Sequence, residues 1–231
     1  MKKLLFAIMA IFAAVVATAQ TQNYVIDVKD FNELKVTDGV NVIWKCDADS
    51  AGLVSFTTTP EMVPLILLEN KKNQLKIELQ DVEHILKHIP TLTVYSNFVK
   101  SVSNNADSTV YLVDPEPTAE INLRVVGNGR IVPNSLKATT VDAKVDTGSG
   151  RIVLGGITQL LKLRNAGAGT IEAANLQADE GAFTVLGTGS IDCWVTDKLS
   201  VKGLGSGKVY LKGDAEVKNR TLGTVKVVNV E

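Results

Sequence analysis

The chain has 231 residues and is nearly neutral, with 24 Lys and Arg against 25 Asp and Glu and a formal net charge of −1. This balance provides no overall positive field and therefore argues against nucleic acid as a partner. The two cysteines, Cys46 and Cys193, allow one bridge at most, which excludes a small domain held together by disulfides. The length suits one domain that is stabilised by a packed core.

Residues 1–19 have the three parts of a secretory signal peptide. Lys2 and Lys3 precede an apolar run over residues 4–17, and small residues stand at 17 and 19 before the expected cleavage point. The run is shorter than the roughly 20 residues that span a bilayer, and no second long apolar stretch follows. We therefore expect an exported protein without a transmembrane segment. It would lie in the periplasm, on the cell surface or in the medium, as a single domain over residues 20–231.

Residues 23–102 predict irregular N-terminal coils of this domain. Alternating or apolar runs between polar turns predict strands at 24–28, 34–36, 40–44, 53–58, 75–79 and 91–95. Short helices are predicted at 61–70 and 82–88. The second helix would place His84 and His88 on one face, as metal ligation can require. Ile85 occupies the glutamate position of a His-Glu-x-x-His site and no third ligand is evident, so we predict a polar surface turn without metal.

Residues 103–231 contain a repeat. Gly-x-Gly triplets begin at regular intervals, at Gly127, Gly148, Gly167, Gly187 and Gly205. Four residues after each first glycine stands Ile or Val, and alternating apolar residues precede each triplet. The pattern weakens at both ends, since residues 106–110 keep the spacing without glycines and Gly223 stands alone near the C-terminus. Atypical end units are expected where a stacked array must be capped.

A period of about 20 residues with short strands predicts the coils of a parallel β-solenoid. Successive coils would stack about 4.8 Å apart, the spacing of paired strands. Glycine suits the corners, where the backbone can need a positive φ and no side chain fits. The sequence lacks the leucine–asparagine signature of leucine-rich repeats, and no Gly-x-Gly leads into a P-loop pattern. We therefore predict an all-β fold with no cofactor.

The order of motifs resembles a known family. Residues 31–42 (FNELKVTDGVNV) open the mature chain, residues 91–95 (TLTVY) follow, and serial Gly-Ser-Gly-like coils come last. Over essentially the whole mature chain, this combination resembles the secreted "putative auto-transporter adhesin, head GIN domain" family, a former domain of unknown function. The resemblance implies a right-handed parallel β-helix and an adhesive role.

A polysaccharide-active β-helix enzyme would need clustered carboxylates on an outer face. The alternation places Glu172 and Asp192 outward on adjacent coils, about 4.8 Å apart, where two carboxylates can bind a divalent cation or share a proton. A fold alone does not indicate an enzyme. We therefore expect no catalytic, cofactor-binding or metal site, and keep this enzyme as the second alternative.

Basic residues supply the surface candidate. The alternation predicts one outward row on successive coils, made of Arg124, Lys144, Arg164, Thr184 and Lys202. Such a row suits an anionic glycan or a phosphate-bearing envelope polymer, or it is an ordinary solvated face. Trp194 is predicted to point outward, where it can stack on a sugar ring. Trp44 and Cys193 are predicted in the core.

Three hypotheses for function follow. The first is an exported, non-enzymatic adhesin or ligand-binding head at the bacterial cell envelope. It would bind a glycan or an envelope or host surface protein through the basic row and Trp194. The first alternative is a periplasmic structural or envelope-sensing module, and the second is the polysaccharide-active enzyme.

Overall fold

The computed structural model describes residues 20–80 and 89–230. The strands are β1 (Gln22–Asp27), β2 (Glu33–Val36), β3 (Val42–Cys46), β4 (Leu53–Thr58), β5 (Ile66–Lys71), β6 (Gln74–Leu79), β7 (Leu92–Ser96), β8 (Ser101–Asn104), β9 (Thr109–Val113), β10 (Thr118–Val125), β11 (Arg130–Pro133), β12 (Leu136–Val145), β13 (Arg151–Asn165), β14 (Thr170–Val185), β15 (Ser190–Gly203), β16 (Lys208–Lys212), β17 (Glu216–Thr221) and β18 (Lys226–Val230). In these described ranges the helical structure is one 3-10 turn, and no helix is long and apolar enough to cross a membrane. The predicted signal peptide and the predicted helix with His84 and His88 lie outside the described residues.

The predicted β-solenoid is confirmed, with about six turns spaced about 20 residues apart. On what we call the first face, β10, β12, β13, β14, β15 and β17 pair in that order, all in parallel. On the second face the parallel order is β9, β11, β13, β14, β15, β16 and β18. Strands β13 to β15 serve both faces because each is long, and their pairing shifts register partway, as between Val153 and Gly155.

The core lies inside the coils and uses the apolar position that recurs four residues after each first glycine. Its fully buried members are Ile131, Ile152, Ile171, Ile191 and Val209. Burying such a side chain stabilises the fold by about 1.5–3 kcal/mol. Cys193 is also buried, as predicted. Burial raises the pKa of its thiol to about 12, and the nearby charge of Asp192 adds to the shift, so the thiol behaves as a small apolar group.

Two buried asparagines hold the corners of the coils. The Nδ2 group of Asn165 donates to the carbonyl oxygens of Gly169, at 2.8 Å, and Ser190, at 3.2 Å. Asn104 donates in the same way to the carbonyl oxygen of Ser108, at 2.8 Å. The carbonyl oxygens of Gly169 and Ser108 already accept from backbone N–H groups of the next coil, so the amides add a second hydrogen bond at these corners.

The repeat requires glycine for two different reasons, depending on the position. Gly127 and Gly148 adopt positive φ angles of 101° and 71°, which disfavour other residues. Gly187 lies outside that region, but a Cβ there would overlap the carbonyl oxygen of Gly167 in the preceding coil. The expectation of positive φ therefore holds for the first two triplets, and close backbone stacking requires glycine further along.

The N-terminal coils do not follow chain order. Strand β2 lies between β6 and β8, and β3 lies between β7 and β9, all in parallel. In space, β6 and β7 therefore form the end coil, β2 and β3 form the second coil, and β8 and β9 form the third. Along the chain, the second coil comes first, the end coil follows, and the third coil comes last. Antiparallel pairs close this end, namely β1 with β4, β4 with β7, and β5 with β6. The irregularity predicted for residues 23–102 is thus mainly a change of coil order.

The prediction of a helix at 61–70 is wrong. Only Val63–Leu65 form a 3-10 turn, and Ile66–Lys71 form β5. Lys72 and Asn73 both have left-handed backbones, with φ of 53° and 63°. Two such residues in succession form the tight turn that is favoured in hairpins. Antiparallel pairing with β6 therefore overrides the local helical pattern.

Candidate anion-binding surface

The first face aligns the predicted basic row in one ladder. Arg124 pairs with Lys144, and Lys144 pairs with Arg164. Arg164 then pairs with Thr184, which pairs with Lys202. The residues on either side of Arg164 in the sequence are buried, so its own side chain points outward. Four basic residues from successive or nearby coils therefore share one outer ladder.

This ladder continues beyond both ends of the predicted row. Arg124 pairs with Ser103 of β8, which pairs with Lys35 of β2, and Lys35 pairs with Lys76 of β6. At the other end, Lys202 pairs with Arg220 of β17. We call the whole set the basic column. Its rungs, in spatial order, are Lys76, Lys35, Ser103, Arg124, Lys144, Arg164, Thr184, Lys202 and Arg220. At about 4.8 Å per rung the column is roughly 38 Å long.

Sequence reasoning missed three of the seven cations of the basic column. Arg220 stands three residues before Gly223, the offset at which most of the row precedes its glycines, so spacing alone could have identified it. Lys35 stands four residues before Gly39, an offset also found in the row. Lys76 has no glycine at either offset and joins the column only because β6 pairs with β2.

Carboxylates compensate the middle of the basic column in part. The Nε of Arg124 lies 2.5 Å from the Asp146 carboxylate, and the Nζ of Lys144 lies 3.0 Å from that of Asp142. Both cations keep substantial solvent exposure, so each pair contributes about 1 kcal/mol or less. These pairs orient the side chains more than they stabilise the fold.

The first rung of the column carries its own ion pair. The Nζ of Lys76 lies 2.6 Å from the Glu78 carboxylate. The hydrogen bond from Lys76 lowers the pKa of Glu78, with smaller contributions from the charges of Lys76 and Lys35. The same hydrogen bond raises the pKa of Lys76. Both groups are therefore ionised at neutral pH, and the pair is locally neutral.

The C-terminal half of the column is the less compensated half. Arg164, Lys202 and Arg220 are exposed, and among the described residues no carboxylate lies within 4 Å of their charged groups. Lys162 lies two residues from Arg164 on the same strand and adds further positive charge to this face, whereas Lys218, two residues from Arg220, is paired with Glu216 at 3.8 Å. Positive charge concentrated on one face attracts anionic ligands even when the whole protein is nearly neutral.

Trp194 does not lie in the basic column. It pairs with Gln177 and Lys212, in a different ladder. Its side chain is half-buried, and the Nζ of Lys212 lies 4.1 Å from the centre of its ring. A sugar that stacked on this ring would have to displace Lys212 or use the other side. The structure therefore separates Trp194 from the other predicted contact residues.

The two predicted carboxylates are neighbours on the second face. Glu172 pairs with Asp192 and also accepts a hydrogen bond of 2.5 Å from Nη2 of Arg151. Burial raises the pKa of Asp192, and the charge of Glu172 raises it further. A cleft of about 420 Å³ lies beside them, with Tyr210 in its wall. Because Arg151 already pairs with Glu172, the arrangement is an ion pair with one adjacent carboxyl group. In the described part of the chain, no three His, Cys, Asp or Glu side chains come together as metal ligands would.

Comparison with known proteins identifies the family. The model of the family described as "Putative auto-transporter adhesin, head GIN domain" matches residues 30–215. The chain belongs to this family. A comparison with curated proteins gave no match.

Solved structures share the fold of this head GIN domain. A putative adhesin from Bacteroides fragilis superposes with a TM-score of 0.80 at 22% identity, covering 91% of this chain and 97% of its own. A putative adhesin from Parabacteroides merdae gives 0.74 at 19% identity, covering 93% and 98%. A protein from Parabacteroides distasonis described as a putative lipid binding protein gives 0.74 at 18%, also covering 93% and 98%. At these identities the likeness extends to the fold alone.

The region matched by the head GIN domain contains nearly all of the basic column. Residues 30–215 include every rung from Lys76 through Lys202, and only Arg220 lies outside. The column is therefore built on the coils that define the domain. It starts on the reordered N-terminal coils and continues along the regular repeat.

Proposed function

We propose that the protein is an exported, non-enzymatic binding head whose basic column holds an anionic polysaccharide at the bacterial cell envelope. Membership in a family described as a putative adhesin supports an adhesin-like role. The observation that carries the choice of ligand is the basic column, seven cations on nine successive rungs of one exposed ladder.

The energetics of the column support a binding role. Like charges on directly opposed strand positions destabilise a sheet. Lys144 faces Arg164 and Lys202 faces Arg220 in this way. An anionic polymer laid along the column would neutralise that repulsion, and its repeating charges would meet cations that repeat at a similar scale. An extended solenoid face suits such contact because it is long and flat.

The ligand test compares charge reversal inside and outside the column. Arg164→Glu removes an exposed cation without an ion-pair partner among the described residues, and we expect binding to an anionic polysaccharide such as polygalacturonate to weaken about tenfold or more. Lys137→Glu is the matched control, because it reverses an equal charge on an exposed rung of another ladder. Equal weakening by both variants would contradict the proposal, since it would show a response to net charge alone.

A second probe separates polysaccharide from lipid. One solved relative is described as a putative lipid binding protein, and anionic headgroups would also be attracted to the column. Vesicles with and without anionic lipid are therefore tested beside the polysaccharide. Binding to anionic vesicles with none to the polysaccharide would replace the proposed ligand.

Location is tested on intact cells. We propose that the solenoid is exposed outside the cell, so external protease should remove it while a periplasmic control protein survives. The alternative is a periplasmic structural or sensing module. The last described coil favours that alternative, because β17 and β18 each pair on one side only among the described strands and can accept a partner strand. Protection until the outer membrane is broken would favour this second function.

A further inference from the structure

We propose that a cleft in the N-terminal half of the basic column selects a sugar unit carrying a single negative charge, and so gives the column its specificity. This inference rests on the proposed function and names the ligand unit it prefers. The cleft has a volume of about 340 Å³ and lies where the reordered N-terminal coils meet the first regular coils.

Two small side chains create the cleft. Ser103 stands in the basic column between Lys35 and Arg124, and Ser101 stands two residues earlier on the same strand. Both are flanked in the sheet by longer side chains, so β8 forms a low floor between raised walls. The gap from Lys35 to Arg124 covers two rungs, roughly 10 Å. The volume lies near the lower end of the range for small-ligand pockets, about 300–1,000 Å³.

The charges around the cleft suit a monoanion. Lys35, Arg124 and Lys144 line it, together with the carboxylate of Asp142. Arg124 is also paired with Asp146. Lys144 is paired with Asp142 in turn, so Lys35 is the lining cation without an ion-pair partner among the described residues, and the Glu33 carboxylate just outside the cleft accepts a hydrogen bond from Gln74. The carboxylate of Asp142 inside the cleft would repel a dianionic phosphate group, whereas a sugar carboxylate or sulfate ester would balance the charge of Lys35.

The uncharged lining suits the rest of a sugar ring. Gln74, Asn105 and Asn122 contribute amides to the walls, and the two serines contribute hydroxyls. Amides and hydroxyls both donate and accept hydrogen bonds, as the hydroxyl groups of a sugar do. The Oγ of Ser103 donates to Asn105 at 2.8 Å, which orients that amide at the rim. The Asp142 carboxylate can accept from a sugar hydroxyl. The lining thus combines a charge for the anion with neutral groups for the ring.

The experiment fills the cleft without changing any charge. Ser103→Phe places a large side chain on the floor, and its outward position on a strand tolerates an aromatic residue. Ser200→Phe is the matched control, because it makes the same substitution at an outward serine of the first face that lies outside both the column and the cleft. Probes are methyl glucuronide, methyl galacturonide and glucose 6-sulfate, with methyl glucoside as the neutral reference, titrated while amide resonances are followed by NMR.

We expect at least one monoanionic sugar to bind the native protein in the millimolar range and at least tenfold more tightly than methyl glucoside. Ser103→Phe should weaken that binding tenfold or more, and Ser200→Phe should leave it within twofold. Thermal unfolding of both variants establishes that they are folded. The inference is overturned if charged and neutral sugars bind alike, or if the two variants behave alike.

The failures of the two proposals are distinguishable. If polygalacturonate binds and Arg164→Glu weakens that binding, but no monoanionic sugar binds, the proposed function is supported and the inference about the cleft is overturned. If neither polymer nor sugar binds the native protein, both proposals fail.

Discussion

The two halves of this molecule reach one architecture by different routes. In the repeat, from β10 to β18, each coil stacks on the one before it, and ladder partners on the first face are one repeat apart, as Val125 is from Val145. In the N-terminal half, β2 is placed between β6 and β8, so Leu34 pairs with both Leu75 and Val102, which lie much further along the chain. Spacing in the sequence therefore encodes stacking only where the chain advances one coil at a time.

The two ends of the solenoid also differ because the N-terminal coils do not follow chain order. At the N-terminal end the chain doubles back, and the antiparallel strands β1, β4 and β5 cover the end coil, which is made of β6 and β7. At the other end, β17 and β18 are each paired on one side among the described strands. Closing an end requires a break in the repeat, and that break is what makes the N-terminal half hard to predict.

The largest expected effect concerns a core residue of the N-terminal half. Trp44 is fully buried, its ring centre lies 5.3 Å from that of Phe31, and its Nε1 donates to Oγ of Ser96 at 2.7 Å. We expect Trp44→Ala to lower the free energy of unfolding by about 4 kcal/mol. Trp194→Ala, in the repeat, removes a half-buried ring that contacts Lys212 and should cost about 1 kcal/mol. Denaturant unfolding measures both, and comparable losses would show that the half-buried ring is structural.

The next effect tests why the repeat needs glycine. Gly187→Ala places a methyl group against the carbonyl oxygen of Gly167, so two stacked backbones must separate. We expect a loss of about 3 kcal/mol in the free energy of unfolding. Gly39→Ala, in the N-terminal half, meets no atom within 4 Å and should change it by about 0.5 kcal/mol at most. A tolerated Gly187→Ala would mean that the coils can spread without cost.

The smallest effect concerns like charges that the repeat brings into register. Burial and then Glu172 raise the pKa of Asp192. An acid whose pKa is raised by folding destabilises the native state above that pKa, and the penalty disappears below the ordinary Asp pKa of about 3.9. We expect Asp192→Asn to be more stable than the native protein by about 0.5 kcal/mol or less at pH 7, and equal to it near pH 3. Asp142→Asn, which removes an ion pair with Lys144, should give no such gain. A gain that persisted at pH 3 would point to packing.

Part of the candidate site could be predicted from the sequence. Arg124, Lys144, Arg164 and Lys202 each stand three or four residues before a glycine of the repeat, and period-2 alternation placed them outward. Lys76 could not be found this way, because its place in the column depends on a pairing between distant strands. The cleft at Ser103 also depends on such a pairing, since the neighbours that form its walls come from β2 and β10. Asp142 and Asp146 compensate particular cations only because their side chains reach them in the folded chain.

The sequence by itself determined the repeated coils. A regular period, an inward aliphatic position and glycines at the corners are local signals, and local signals suffice when each coil pairs with its neighbour in the chain. Only the tertiary structure decided the order of the N-terminal coils, the hairpin that replaces the helix predicted at 61–70, and the continuation of the basic column to Lys76. These features depend on which distant strands pair. Strand propensity is the same for every possible neighbour, so the choice among them is made by burial and register over the whole molecule.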